Sequence, residues 1–214
     1  MNTQQSISSI LNKNGPFLSK VFIHLICQLI ITAVVAYLMR EKNISGLEFG
    51  LIFIAQIILI FLILFINPVH IIYKIILFVI FSVSFGIILS PINKINKEIL
   101  TSSLIGTILV FVVFFIIGVI VTSYGYDLSW LSTILLISLV LLIITGIISY
   151  FCNVSSTAHK IYLYFGLVIF SLYVLMDTNN ILTKDIFRKD FVASTMGYYL
   201  DILNLFTKFI QLLR

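Results

Sequence analysis

The stretch GYYLDILNLF, residues 197–206, decides the fold because it places a carboxylate inside an apolar helix. Asp201 lies about ten residues from either end of the apolar run 191–213, which at 1.5 Å per residue puts it about 15 Å deep in a membrane. The polar positions of this run recur every three or four residues and so share one helix face. They are Ser194, Tyr198, Asp201, Asn204 and Lys208. Because an ionised carboxylate in mid-bilayer is costly, this face is predicted to turn toward protein or a water-filled cavity.

The composition of the whole chain is that of an integral membrane protein. Of its 214 residues, 61% are hydrophobic and 10% are charged, and the mean hydropathy is +1.19. A soluble domain carries roughly 25% charged residues. The net charge of +5 comes from thirteen Lys and Arg that are spread over short loops without a basic run, so no nucleic-acid partner is expected. The partner that this composition predicts is a lipid bilayer.

Apolar runs that could each cross a hydrocarbon core of about 30 Å recur along the chain. They cover residues 17–39, 47–66, 71–89, 99–122, 130–152, 158–176 and 191–213. We therefore predict an all-α integral membrane protein in which residues 1–214 form a single membrane domain with seven spans.

A second carboxylate ends the sixth run. Asp177 precedes Asp201 by 24 residues, and the polar stretch between the two spans can return the chain, so the two helices can be antiparallel neighbours. Two buried carboxylates in contact cannot both ionise cheaply and tend to share a proton. When deprotonated, the same oxygens would suit a hard cation such as Ca²⁺. The alternative is that each Asp is a buried hydrogen-bonding group without any role in ion transport.

The first span carries a lesser polar pattern. His24, Gln28 and Thr32 follow one another at four-residue spacing. Groups of this kind commonly hydrogen-bond between helices, so we interpret them as contacts that hold the bundle together. Small residues in the third span, such as Ser82 and Gly86, permit close helix packing.

Four segments of the chain resemble the transmembrane Bax inhibitor motif family. The most specific are VLMDTNNIL at residues 174–182 and GYYLDILNLFTKFIQLL at 197–213, which are similar to the C-terminal signature of that family. FLSKVFIHLICQLIITA at 17–33 resembles its first helix, and DLSWLSTILL at 127–136 resembles its fourth-loop motif. The resemblance thus extends over nearly the whole chain.

The resemblance implies six helices in layers around a central C-terminal helix, and a pH-sensitive leak of calcium. It places an aspartate pair that senses protons and meets the ion at Asp177 and Asp201. Calcium and protons would be the transported and sensed ions, and no cofactor is required. Relatives suppress cell death, which implies membrane-protein partners of cell-death control. The expected location is an endomembrane, endoplasmic reticulum or Golgi, in a eukaryotic or viral setting, and the plasma membrane in a bacterium.

The sequence departs from the family pattern at three places. Met176 stands where Tyr is usual, and Asn179 stands where Gln is usual. Some members carry an Arg in the second helix that can pair with the two aspartates, but no basic residue lies between Glu48 and Ile66. A pair without that cation should hold a shared proton more readily.

Other functions fit the sequence less well or stay open. Two membrane aspartates also describe intramembrane aspartyl proteases, but the Gly-x-Gly-Asp and Pro-Ala-Leu motifs of those enzymes are missing, so we expect no enzyme. A proton-coupled cation transporter would use buried carboxylates in a similar way. A non-conducting membrane scaffold that regulates partner proteins is the other alternative.

Overall fold

The computed structural model describes residues 6–152 and 155–214, and these parts of the chain are almost entirely helical. The long helices are α1 (Ile7–Leu38), α2 (Gly46–Phe65), α3 (Ile71–Leu89), α4 (Lys97–Ser123), α5 (Ser129–Phe151), α6 (Ser156–Thr183) and α7 (Phe191–Leu213). Short helical turns at Pro68–His70, Ser90–Lys94 and Asp185–Arg188 lie between them. The described residues contain no strand, and the prediction of an all-α fold is confirmed.

The predicted and observed helix bounds differ most where the chain is helical but not apolar. The bounds of α3 and α7 match the prediction, whereas α1 begins ten residues earlier and α6 ends seven residues later. A hydropathy criterion stops at the first run of polar residues, although a helix continues wherever its backbone stays hydrogen-bonded. The end of α6 continues in this way because Asn179 and Asn180 are buried against protein.

Local sequence signals fix several helix starts. Ser45 and Glu48 form a capping box at α2, in which each side chain accepts a hydrogen bond from the backbone of the other residue. The side chain of Ser155 caps α6. Asp127 accepts hydrogen bonds from the side chain and the backbone of Ser129 at the start of α5. The hydrogen bond from the Ser129 side chain contributes most, followed by the bond from its backbone, and together they hold the pKa of the Asp127 carboxyl below its usual range.

Six helices, α1 to α6, are long and apolar enough to cross a membrane. Of the 18 most apolar consecutive residues in α2 and in α5, only 11% are buried inside the protein, whereas 50% are buried in α6. The side chains of α2 and α5 therefore face mainly lipid. The helix α7 is not among these six, because it mixes polar with apolar residues. Eleven of its 23 residues are nevertheless buried and only two are exposed, and a helix covered by protein does not need an apolar surface.

The chain divides into two compact units, and each includes part of α7. Unit 1 contains the described part of Met1–Gly15, with Glu98–Asp185 and Leu200–Arg214. Unit 2 contains Pro16–Lys97 and Ile186–Tyr199. In unit 1, α5 packs on α6, and in unit 2, α2 packs on α3. The expectation of a single domain stays a prediction.

Close helix contacts within each unit depend on glycine. In unit 2, a Cβ atom on Gly86 of α3 would lie 2.7 Å from the carbonyl oxygen of Thr32 on α1. In unit 1, a Cβ on Gly118 of α4 would lie 2.7 Å from the Cβ of Thr178 on α6. Both distances are shorter than atoms tolerate, so a hydrogen in place of a side chain allows each pair of helices to approach.

We expect Gly86→Ala to lower the free energy of unfolding by about 1–3 kcal/mol, because the added methyl group has to push α1 away from α3. Gly50→Ala in α2 is the matched control, since no atom of the described residues lies within 4 Å of a Cβ added there. Denaturation in detergent micelles measures both. Equal stability of the two variants would contradict the close packing of α1 on α3.

Candidate functional site

The two predicted aspartates lie in one compact unit. Asp177 is on α6 and Asp201 is on α7, and both belong to unit 1. Asp201 is 5% exposed, whereas Asp177 is partly exposed. The two carboxyl groups are near enough to interact electrostatically, and Tyr173, one turn before Asp177 on α6, interacts with both. The tertiary structure thus brings together two acids that are 24 residues apart.

Among the described residues of unit 1, two buried side-chain oxygen atoms have no hydrogen-bond partner. They are Oδ2 of Asp201 and Oδ1 of Asn180. Asn180 follows Asp177 by three residues and therefore lies on the same face of α6. A buried acceptor without a donor costs about 1–3 kcal/mol. A proton, a water molecule or a cation at these oxygens would remove that cost.

The same oxygens bear on the expected calcium contact at Asp177 and Asp201. Ca²⁺ takes about 6–8 oxygen ligands in a stable protein site. The described residues hold no cluster of three or more His, Cys, Asp or Glu side chains. The expected calcium contact at Asp177 and Asp201 therefore stays a prediction.

The predicted polar face of α7 is divided between the two units. Ser194 and Tyr198 lie in unit 2 and are buried. The hydroxyl of Ser194 donates to the carbonyl oxygen of Phe187 at 3.0 Å. The ring of Tyr198 stacks on Phe22 of α1 with the ring centroids 6.0 Å apart. These two residues therefore have packing partners of their own.

The remaining residues of that face, Asn204 and Lys208, lie in unit 1 with Asp201. The amide of Asn204 donates to the carbonyl oxygen of Leu200 in its own helix at 2.8 Å. The ammonium of Lys208 lies 3.8 Å from the centroid of the Tyr162 ring, a cation–π geometry. Gly166 makes room for this side chain, because a Cβ there would lie 2.9 Å from Cε of Lys208.

Asn179 makes a set of contacts that the sequence does not predict. Its amide nitrogen donates to the hydroxyl of Thr122 and to the carbonyl oxygen of Tyr126, both at 2.9 Å. Its amide oxygen accepts from the backbone N–H of Leu128 at 3.0 Å. Asn179 thus fixes the connection between α4 and α5 to α6, two residues after Asp177. The only sequence signal is its position beside that aspartate.

A buried ion pair in unit 2 was not predicted either. The ammonium of Lys74 on α3 donates to Oδ2 of Asp190 and, at 3.2 Å, to the carbonyl oxygen of Ile66. The Lys74 side chain is 0% exposed. Oδ1 of Asp190 accepts from the backbone N–H of Ala193 at 3.0 Å, which caps the start of α7. In the sequence Lys74 lies near the start of the third apolar run and Asp190 lies in the polar stretch before the seventh, and their separation of 116 positions hides the pairing.

The chain as a whole is similar to known proteins of one family. The family described as Inhibitor of apoptosis-promoting Bax1 matches residues 15–214. The chain is 33% identical over 90 residues to a BI1-like protein of Arabidopsis thaliana, which is 42% of this chain and 35% of that protein. It is 34% identical over 107 residues to Bax inhibitor 1 of Schizosaccharomyces pombe, 47% of this chain and 40% of that protein. It is 30% identical over 87 residues to an uncharacterized membrane protein of Vibrio cholerae, 41% of this chain and 38% of that protein.

We expect Asn179→Ala to lower the free energy of unfolding by about 1–3 kcal/mol, because it leaves a buried hydroxyl, a carbonyl and an N–H without their partner. Asn43→Ala is the control, since Asn43 is exposed and its amide oxygen accepts from an exposed lysine. Unfolding in micelles measures both. If Asn179→Ala were as stable as the control, the contacts to the α4–α5 connection would be unimportant.

Lys74→Met is predicted to cost about 3–5 kcal/mol, because it leaves the carboxylate of Asp190 in a buried place without its cation. Adding Asp190→Asn to that variant should recover part of the loss, since the asparagine is neutral and can still cap α7. The comparison needs unfolding measurements on the single and the double variant. A double variant less stable than Lys74→Met would argue against a buried ion pair.

Proposed function

The chain belongs to the Bax inhibitor family of multi-pass membrane proteins, and from that premise we propose that it is a pH-sensitive calcium leak channel. Asp177 and Asp201 share a proton near the ion path in this proposal. The alignments span only 35% to 40% of the length of the curated relatives that the chain matches. The proposed activity therefore depends on the residues of this chain.

The observation that carries the proposal is the state of the Asp201 side chain. Its Oδ2 atom is buried without a hydrogen-bond donor among the described residues, and its carboxyl group interacts electrostatically with that of Asp177. Two negative charges so placed repel each other in a medium that screens them poorly. A single proton taken up by the pair removes one charge and supplies a donor for an oxygen that has none. Proton uptake is therefore a property of the pair rather than of either acid.

A calcium ion would compete for the same oxygens. When the pair has lost its proton, its carboxylates offer the hard oxygen ligands that Ca²⁺ prefers. Asn180, three residues after Asp177 on α6, has a buried amide oxygen without a donor among the described residues. The small number of ligands suits passage, because an ion that is to leave must not be held by a complete coordination shell. The same chemistry makes the leak depend on pH, since a proton and the cation exclude each other.

Because α2 has no basic residue, the aspartate pair would work without a partner cation on that helix. No Lys or Arg lies between Glu48 and Ile66, and the two buried side chains of α2 are Gln56 and Ile63. Charge neutralisation at the aspartates then depends on protons and on the transported ion. We propose that this makes the pH response of the leak simpler than in relatives that carry the Arg.

The remaining parts of the proposal concern the setting. The Bax inhibitor family is not a known enzyme family, and we propose a protein without catalytic residues or a resident cofactor. The location would be an endomembrane in a eukaryotic or viral setting, or the plasma membrane in a bacterium. Partner proteins of cell-death control would respond to the lowered calcium store. A non-conducting scaffold and a proton-coupled transporter remain the alternatives.

The test is calcium flux from liposomes that contain the purified protein and a calcium-sensitive dye. Wild-type flux is expected to change between about pH 5 and pH 8, the range in which two interior carboxyl groups that share one proton can titrate. Asp201→Asn and Asp177→Asn should each flatten this dependence, because asparagine keeps the shape but cannot ionise. Glu41→Gln is the control, since Glu41 is an exposed carboxylate.

Three results would contradict the proposal in different ways. No flux from folded wild-type protein would favour the scaffold. Flux that appears only under a proton gradient would favour the transporter. Flux whose pH dependence survives in both asparagine variants would show that the pair is not the sensor.

A further inference from the structure

A group of polar side chains inside unit 2 has no part in the proposed calcium leak. His24, Gln28 and Thr32 lie along α1, Ser82 lies on α3, and Tyr199 lies on α7. Gln28 is 1% exposed, and Ser82 and Tyr199 are 0% exposed. Interior polar groups at this depth can form hydrogen bonds only with one another, because lipid provides neither donors nor acceptors.

The hydrogen bonds at Thr32 have only one consistent set of donors. Its hydroxyl oxygen lies 2.5 Å from the hydroxyl of Tyr199, and 3.1 Å from the carbonyl oxygens of Gln28 and of Ser82. A carbonyl can only accept, so the single hydroxyl hydrogen of Thr32 points to one of those two oxygens. Tyr199 is therefore the donor to Thr32. This links the last helix to the place where α1 meets α3.

The orientation of the Gln28 amide determines which nitrogen of His24 carries the proton. The hydroxyl of Ser82 donates to Oε1 of Gln28 at 2.7 Å. Nε2 of Gln28 lies 3.4 Å from Nε2 of His24. An amide nitrogen has hydrogens but accepts none, so Nε2 of His24 is the acceptor and its Nδ1 carries the hydrogen. The neutral imidazole is thus built into the contact between α1 and α3.

We propose that His24 is a second proton-responsive group of this protein, and that its protonation rearranges the contact between Gln28 and Ser82. When Nε2 of His24 takes a proton, it becomes a donor that faces the NH₂ group of Gln28. The amide of Gln28 then rotates so that Oε1 accepts from the imidazolium. Its NH₂ group now faces Ser82, whose hydroxyl must stop donating to Gln28 and turn to a backbone carbonyl of its own helix.

The described groups around His24 provide no carboxylate that would hold the imidazolium in place. Its ring meets Phe78 of α3 and Phe191 of α7 edge to face, with centroids 5.3 Å and 5.6 Å away. The charged residues next to these contacts are Lys20 on α1, Lys74 on α3 and Asp190 before α7. Lys74 and Asp190 are paired with each other. The other ionisable group in the network is the hydroxyl of Tyr199, which stays a neutral donor throughout.

The rearrangement would act where α1 and α3 are in closest contact. Gly86, one turn after Ser82, lets the backbone of α3 approach Thr32. A change in the Gln28–Ser82 bond therefore occurs beside a contact that leaves no free space. This inference does not depend on calcium conduction, because the network lies wholly within unit 2.

The experiment is nitrogen-15 NMR of the full chain in micelles, with labelled histidine and glutamine. Near pH 8 the wild-type His24 signal is expected to show a hydrogen on Nδ1. As the pH is lowered and His24 takes up its proton, the side-chain amide of Gln28 should shift together with His24. His24→Gln should abolish this amide shift, because it keeps an acceptor that cannot titrate. His70→Gln, at an exposed histidine, should leave the shift intact.

A second variant keeps the proposal testable if His24→Gln is poorly folded. Ser82→Ala retains both partners of the His24–Gln28 contact but removes the hydroxyl that resists rotation of the amide. His24 should then titrate at a higher pH than in the wild type. The inference is overturned by a hydrogen on Nε2 of His24 near pH 8, by a Gln28 amide that does not respond while His24 titrates, or by an unchanged titration in Ser82→Ala.

Discussion

Polar groups inside a membrane must find their partners within the protein, because the hydrocarbon core offers none. The carboxyl group of Asp201 needs such partners within the protein more than any other group described above. It lies on a helix less apolar than the other six, and that helix is stable only because most of its surface is covered by protein. This constraint accounts for the burial of α7, which contributes to both compact units. It also accounts for the electrostatic interaction between Asp201 and Asp177.

The polar side chains in unit 1 satisfy the constraint to different degrees. Asn179 uses both amide hydrogens and its oxygen, so its contacts are complete and structural. Asp201 and Asn180 each keep a buried side-chain oxygen without a donor among the described residues. Complete networks make a protein rigid, whereas incomplete ones mark a place where a proton or an ion can bind. This contrast separates Asn179, which holds the helices of unit 1 together, from the residues that are proposed to bind the proton and the ion.

In unit 2 the buried polar groups described above are hydrogen-bonded to one another. Lys74 and Asp190 neutralise each other at the start of α7. Thr32, Ser82 and Tyr199 share hydrogen bonds across three helices. His24 differs from these groups because its single acceptor nitrogen can take a proton when the pH is lowered. Its contact with Gln28 is therefore the part of the unit that depends on solution conditions.

The sequence by itself determined the number and kind of helices, since apolar runs have to be long enough to cross a bilayer. It also placed α3 and α7 within their observed bounds and identified the two acids that share a unit, because polar spacing reports on a helix face. Only the tertiary structure decided that α6 continues past Asp177, and that Lys74 pairs with a residue 116 positions away. Periodicity describes how one helix divides its own surface between lipid and protein. Which side chain of another helix meets that surface depends on packing, as it does where Gly86 admits the backbone of Thr32.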